Sequence, residues 1–173
     1  MLEAAIFVVF PFCMVFAAVS DMLSMTIANR VSVILVLAFA VIAPLTGMEW
    51  ATFGWHFLAG AMVLSVTFGM FAMGGMGGGD AKLTAATAIW MGFNIHLMQY
   101  LVSTAFLGGV FTLILLSYRK SPLAVYTGHN MFLRHFADAK AGIPYGVALG
   151  VGGLMTYPES PLMVWALERL AGH

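Results

Sequence analysis

The chain reads as a row of apolar blocks separated by short polar ones. Ala4 to Ser20 carries no charge and stops at Asp21; Val31 to Met48 carries none and stops at Glu49. Trp50 to Gly79 is also uncharged and is densest from Phe57 to Met73. Leu83 to Tyr118 is uncharged but too long for one crossing, and it breaks naturally at Gly92-Phe93-Asn94-Ile95-His96. Ile143 to Tyr157 is a last short block, closed by Pro158-Glu159-Ser160-Pro161. A helix needs about 20 apolar residues to span a bilayer, with about 17 tolerated. The pattern therefore predicts an all-α integral membrane protein, a six-transmembrane-helix bundle whose fourth and sixth helices are short. Leu162 to Leu170 is expected to lie at the interface. The chain shows no repeat with a period of about 20–50 residues and no low-complexity linker, so residues 1–173 are expected to form a single membrane-embedded domain.

Composition supports this pattern. The chain is 62% hydrophobic and 8% charged, where a soluble domain carries about 25% charged residues. Its net charge of zero gives no reason to expect a nucleic-acid partner. Cys13 is the single cysteine, which excludes a disulfide framework and a cysteine-based zinc site. The start of the chain lacks a basic region, with Glu3 in its place, so the first block is expected to stay as a helix rather than be cleaved as a signal.

Parity along the six predicted helices then sorts the polar residues by side. Asp21 follows the first helix. The chain crosses and returns, so Gly77-Gly78-Gly79-Asp80 emerges on the same side, and so does the polar stretch from Arg119 to Lys140. That side holds Arg30, Lys82, Arg119, Lys120, Arg134 and Lys140; the other holds Arg169 alone. Basic residues concentrate on the cytoplasmic side of a membrane. The expectation is an inner-membrane protein with both acids at the cytoplasmic face and both termini extracytoplasmic.

Ionisable groups at membrane depth are costly and are read first as functional. Taken singly, each aspartate is most simply a local helix cap, since Asp is a favoured N-cap and Ala81-Lys82-Leu83-Thr84-Ala85-Ala86 reads as a helix start. Taken together, on one face of a charge-poor chain, Asp21 and Asp80 read as an aspartic dyad. Two neighbouring carboxyls share one proton. The ionised one takes a proton from water, and the other donates to a scissile carbonyl, with no metal or cofactor. Asp138 shares that side, but it sits among Arg134, His135 and Lys140 in a polar loop and is not assigned a catalytic role.

The glycines beside Asp80 are not a Walker A loop, because Asp80 stands where Lys is required. Gly77, Gly78 and Gly79 leave space for an extended substrate strand. Alternatively, Gly74 with Gly78 and Gly75 with Gly79 are helix-packing pairs. For Gly142, Gly146 and Gly150, packing is the reading adopted here. Lys82 either supports the acids or anchors its helix at the headgroups. His56 and His96 fall at the far ends of their helices, and no two histidines are spaced to bind a metal from one helix face. The 14 methionines read as apolar filler. The basic stretch from Tyr118 to Gly142 either rests on anionic lipid or simply obeys the charge rule for sidedness.

Gly77-Gly78-Gly79-Asp80-Ala81-Lys82-Leu83 resembles the GxGD segment of the type IV prepilin peptidases, which are membrane aspartic proteases. Asp21 with Ile27-Ala28-Asn29 is similar to that family's first catalytic aspartate and its Asp…Ile-Pro-Asn segment, with Ala28 where the family usually has Pro. Ile143-Pro144-Tyr145-Gly146-Val147-Ala148 resembles the family's last-span motif. The resemblance is closest to the short TadV/CpaA-type members that serve tight-adherence pili. It implies that Asp21 and Asp80 are catalytic and that Gly77, Gly78, Gly79 and Lys82 support the site. It also implies prepilin or pseudopilin substrates, cut after a leader-terminal glycine at the cytoplasmic face, without methylation. Two other readings are a proton- or cation-coupled transporter and a non-enzymatic scaffold of a pilus or secretion machine. Transporters usually show internal repeats and mid-membrane acids; here no repeat is visible and both acids sit at block ends. The residues assign no oligomeric state.

Overall fold

A computed structural model describes residues 1–122, 136 and 142–172, and among these every regular element is helical. The helices are α1 (Leu2–Ser24), α2 (Asn29–Leu45), α3 (Trp50–Ala72), α4 (Gly78–Met91), α5 (Ile95–Arg119), α6 (Gly146–Thr156) and α7 (Pro161–Ala171). A 3-10 turn over Tyr157–Glu159 joins the last two. Three of them, α1, α3 and α5, are long and apolar enough to cross a membrane. Their most apolar windows are only 28%, 28% and 22% buried within the protein, so most of that apolar surface is left for lipid. Phe12, Val41, Val66 and Phe106 are among the large side chains turned outward.

The predicted breaks fall where the backbone turns. α3 ends on Gly74 at φ +76°, with Gly74 N–H on the Phe71 carbonyl and Gly75 N–H on the Met70 carbonyl. That is a Schellman stop, and its left-handed residue favours glycine. The long fourth block divides at Gly92, also at φ +76°, where a Cβ would run into the His56 ring. Asn94 then restarts the chain as α5 by accepting the His96 N–H at 2.8 Å.

α4 is the hub. It packs on α3, α2, α6, α5 and α7, while α3 touches α2 only slightly and hardly meets α5. Small residues allow so many neighbours: Ala81, Ala85, Ala86, Ala88, Thr84 and Thr87 are all buried. With 14 residues α4 is about 21 Å long, well short of a bilayer core. Because protein rather than lipid surrounds it, it has no lipid thickness to match. Trp90, at its far end, is fully buried among Phe10, Phe39 and Tyr157. Trp90 donates to the Leu35 carbonyl at 3.0 Å, and Tyr157 donates to the Ile6 carbonyl at 2.6 Å, so the polar tip of each ring is paired within the core.

The bundle has two distinct ends. Glu3 meets Arg169 at 3.4 Å at one end. Asp21 lies 18 residues further along α1, about 27 Å away by helical rise. The ends of α1, α3 and α5 and the starts of α4 and α6 surround Asp21. Both acids therefore sit at the end opposite the described termini, as parity requires.

Candidate active site

Asp21 belongs to the last turn of α1 and is buried. It does not cap the segment that follows α1. Its Oδ2 instead accepts the backbone N–H of Gly146, the first residue of α6, at 2.7 Å. A carboxylate on the first N–H groups of a helix also meets the positive end of the helix dipole. The contact requires Gly146 to lack a side chain, since a Cβ there would lie 2.8 Å from Asp21 Cβ, Asp21 Oδ2 and Ile27 Cδ1. Reading Gly146 only as a packing residue therefore misses its role at the acid. Gly150 does pack on α1, with a Cβ 2.8 Å from the Met14 carbonyl, whereas a Cβ on Gly142 would meet nothing within 4 Å.

Asp80 is the third residue of α4, not its N-cap, which is Gly77. Its carboxylate turns back toward Gly77, where a Cβ would lie 2.6 Å from Asp80 Oδ2. Asp80 thus stands inside the first turn of the helix it was expected to cap. Gly79 sits against Ile27, with a Cβ position 3.1 Å from Ile27 Cβ and 3.3 Å from its carbonyl. That close approach sets the start of α4 beside the chain entering α2. Gly74 and Gly75 fall outside helices, so the two glycine pairs considered as packing motifs do not form a helix-packing stripe.

The two acids share walls. Both line a cavity of about 740 Å³ that opens at this end of the bundle, together with Gly74, Gly75 and Gly77. Both also line a smaller cleft of about 250 Å³ with Gly77, Gly78 and Gly79. The carboxyls lie within electrostatic reach of one another. Lys82 stands apart: it lines neither space and donates from Nζ to Asn29 Oδ1 at 3.0 Å, tying α4 to α2.

Several wall residues were not singled out from the sequence. Met25, at φ +53°, carries the chain out of α1 past the cavity. Tyr145 lines the wall and donates to the Thr104 carbonyl at 3.3 Å, its ring lying where a Cβ on Gly108 would be. Arg119 donates to the carbonyls of Phe136 at 3.0 Å and Gly142 at 2.9 Å. The only sequence signal for Tyr145 and Gly146 was the family-like run Ile143 to Ala148.

His56 lies away from the acids; its Nδ1 is 2.6 Å from the Ile89 carbonyl, so that nitrogen carries the proton. His96 pairs with Glu159 at 3.3 Å near the described termini. Among the described residues, no three His, Cys, Asp or Glu side chains cluster as metal ligands. His129, Arg134, His135, Asp138, Lys140 and His173 lie outside the described residues, as does most of the basic stretch that contains them.

No curated protein and no solved structure matches the chain. A family model for the type IV leader peptidase family matches residues 8–115. That span covers more than half of the chain, including both acids and the glycine run, and stops short of Ile143. The chain, with its apolar helices and paired acids, belongs to the type IV leader peptidase family.

Proposed function

We propose that this protein is an aspartic endopeptidase of the inner membrane that removes the short basic leader from tight-adherence-type prepilins and pseudopilins. Asp21 and Asp80 would be its catalytic pair, working at the cytoplasmic face. One observation carries the reading: two aspartates from separate helices, 59 positions apart in sequence, line the same cavity in a chain almost free of acidic groups.

The chemistry follows from the pair. One carboxyl is ionised and the other protonated, because two neighbouring carboxylates repel. Water between them gives a proton to the ionised group as its oxygen bonds to the scissile carbonyl carbon. The protonated carboxyl donates to the carbonyl oxygen, forming a tetrahedral diol. Collapse of the diol breaks the C–N bond; the leaving amine takes a proton from one carboxyl as a diol hydroxyl returns its proton to the other, restoring the singly protonated pair. The Gly146 N–H holds one oxygen of Asp21 and orients the other. The side-chain-free floor at Gly74, Gly75 and Gly77 admits an extended backbone to both acids.

Sidedness supports the location. Arg30, Lys82, Arg119 and Lys120 lie at the acid end, against Arg169 at the other, which supports an acid end facing the cytoplasm. In this reading six helices, α1 to α6, cross the membrane and the termini are extracytoplasmic. The test is co-expression of a prepilin with Asp21→Asn or Asp80→Asn. Each change alone should leave the full-length precursor on a gel, while Asp138→Asn should process it normally. Normal processing by either dyad variant would remove the assignment.

A further inference from the structure

α3 is held to the bundle almost entirely through α4, which leaves an apolar slit on each of its flanks. On the α2 flank the slit is lined by Val33, Val36, Phe57 and Leu64, and the bonded pair Lys82 and Asn29 is also on its wall. It shares no lining residue with the acid cavity. On the α5 flank the slit is lined by Met62, Val63, Val66, Met70, Met98 and Leu101. Met70 belongs to both this slit and the acid cavity, so the two spaces adjoin at that residue. From Ala59 to Met70 the slit follows α3 for about 16 Å, roughly half the depth of a bilayer core.

We propose that the α3–α5 slit receives the apolar membrane helix of the substrate and delivers the adjoining peptide bond to Asp21 and Asp80; this rests on the protease reading above. Three features select that occupant. The slit is apolar and runs along membrane depth, so what enters it sideways is a membrane segment rather than a soluble peptide. It adjoins the acid cavity at Met70, whereas the α2 slit shares no lining residue with that cavity and carries the Lys82–Asn29 bond on its wall. Its methionines at 62, 70 and 98 give a deformable wall suited to helices of differing side-chain shape. Met62, Val66 and Met98 are 50%, 66% and 56% exposed, so changes there leave the packed core intact.

Two measurements test the slit. In membranes carrying the full chain with Asp80→Asn, a benzophenone amino acid replaces Val66 or Met98, and in controls Val33 or Leu37. The prepilin precursor should cross-link at 66 and 98 and not at 33 or 37. Cross-linking confined to 33 and 37, or absent from all four, overturns the proposal. Separately, Val66→Trp combined with Met98→Trp should slow processing of the membrane-anchored precursor by about tenfold or more. Cleavage in detergent of a short peptide that spans the scissile bond but lacks the apolar helix should stay within about twofold of the unmodified enzyme, because only docking is impaired. Equal rates on the anchored precursor, or equal losses on both substrates, defeat the slit while leaving the dyad standing. If the unmodified enzyme cleaves neither substrate, the dyad reading itself fails, and the slit with it.

Discussion

At the scale of single residues, Asp21 is held by the backbone N–H of Gly146, a position where a side chain would meet the acid. Gly146→Ala would place a methyl group 2.8 Å from Asp21 Cβ and Oδ2, and the aspartate would have to swing away. A misplacement of this kind, on the order of an ångström, costs about 100-fold in rate. We expect prepilin processing to fall by that order while the protein still inserts and folds, checked by a processing time course alongside thermal unfolding in detergent. The aspartates themselves were legible from residue type alone, because an acid in an apolar chain is conspicuous. Gly146 was not legible in this role. A glycine that packs helices and a glycine that leaves room for a carboxylate look identical until the partner is known. Lys82 shows the converse: two positions past Asp80 in sequence, it bonds Asn29 on a neighbouring helix instead of lining either acid-bearing space.

At the scale of elements, the polar interruptions placed the helices well. The break predicted at Gly92 to His96 is the turn between α4 and α5, and the last block is α6 followed by its 3-10 turn. The start of α4 is the main difference, since the helix begins at Gly78, ahead of the start read at Ala81, and takes in two glycines of the run. Gly77, with extended backbone, is the N-cap there, and Asp80 stands inside the first turn. The start of α2 yields a prediction. Ala28, in the position where the family usually has Pro, has φ −64° and ψ 129°, and φ −64° is the angle a proline ring imposes. Ala28→Pro should therefore fit without strain and stabilise the fold by about 0.4–1 kcal/mol through the unfolded chain. That corresponds to a Tm gain of roughly 1–4 °C, read by thermal unfolding in detergent.

At the scale of the whole molecule, the proposed orientation can be tested without a substrate. Cys13 is buried, so the native thiol stays silent to an aqueous reagent. Trp50→Cys lies at the described-termini end and Lys120→Cys at the acid end. A membrane-impermeant maleimide applied to intact cells should label position 50 directly and position 120 only after permeabilisation. The reverse pattern would turn the bundle over and put the acids outside. The same inside-out construction explains why α4 is so short. A helix wrapped by five others on small side chains meets protein along its length, and its 14 residues need only carry Asp80 at one end and Trp90 toward the other.

Some properties of this protein follow from the chain alone. Apolar run length demands a membrane, glycine and asparagine mark where helices stop and restart, and counting crossings puts two acids at one end. These are local quantities, set by each segment's own transfer energy and backbone freedom. What only the tertiary structure decided is which elements touch. The start of α6 meets Asp21, α3 leans almost entirely on α4, and one slit beside α3 adjoins the acid cavity while the other shares no lining residue with it. Such contacts depend on how close two backbones can come, a joint property of residues far apart in sequence that no single segment carries.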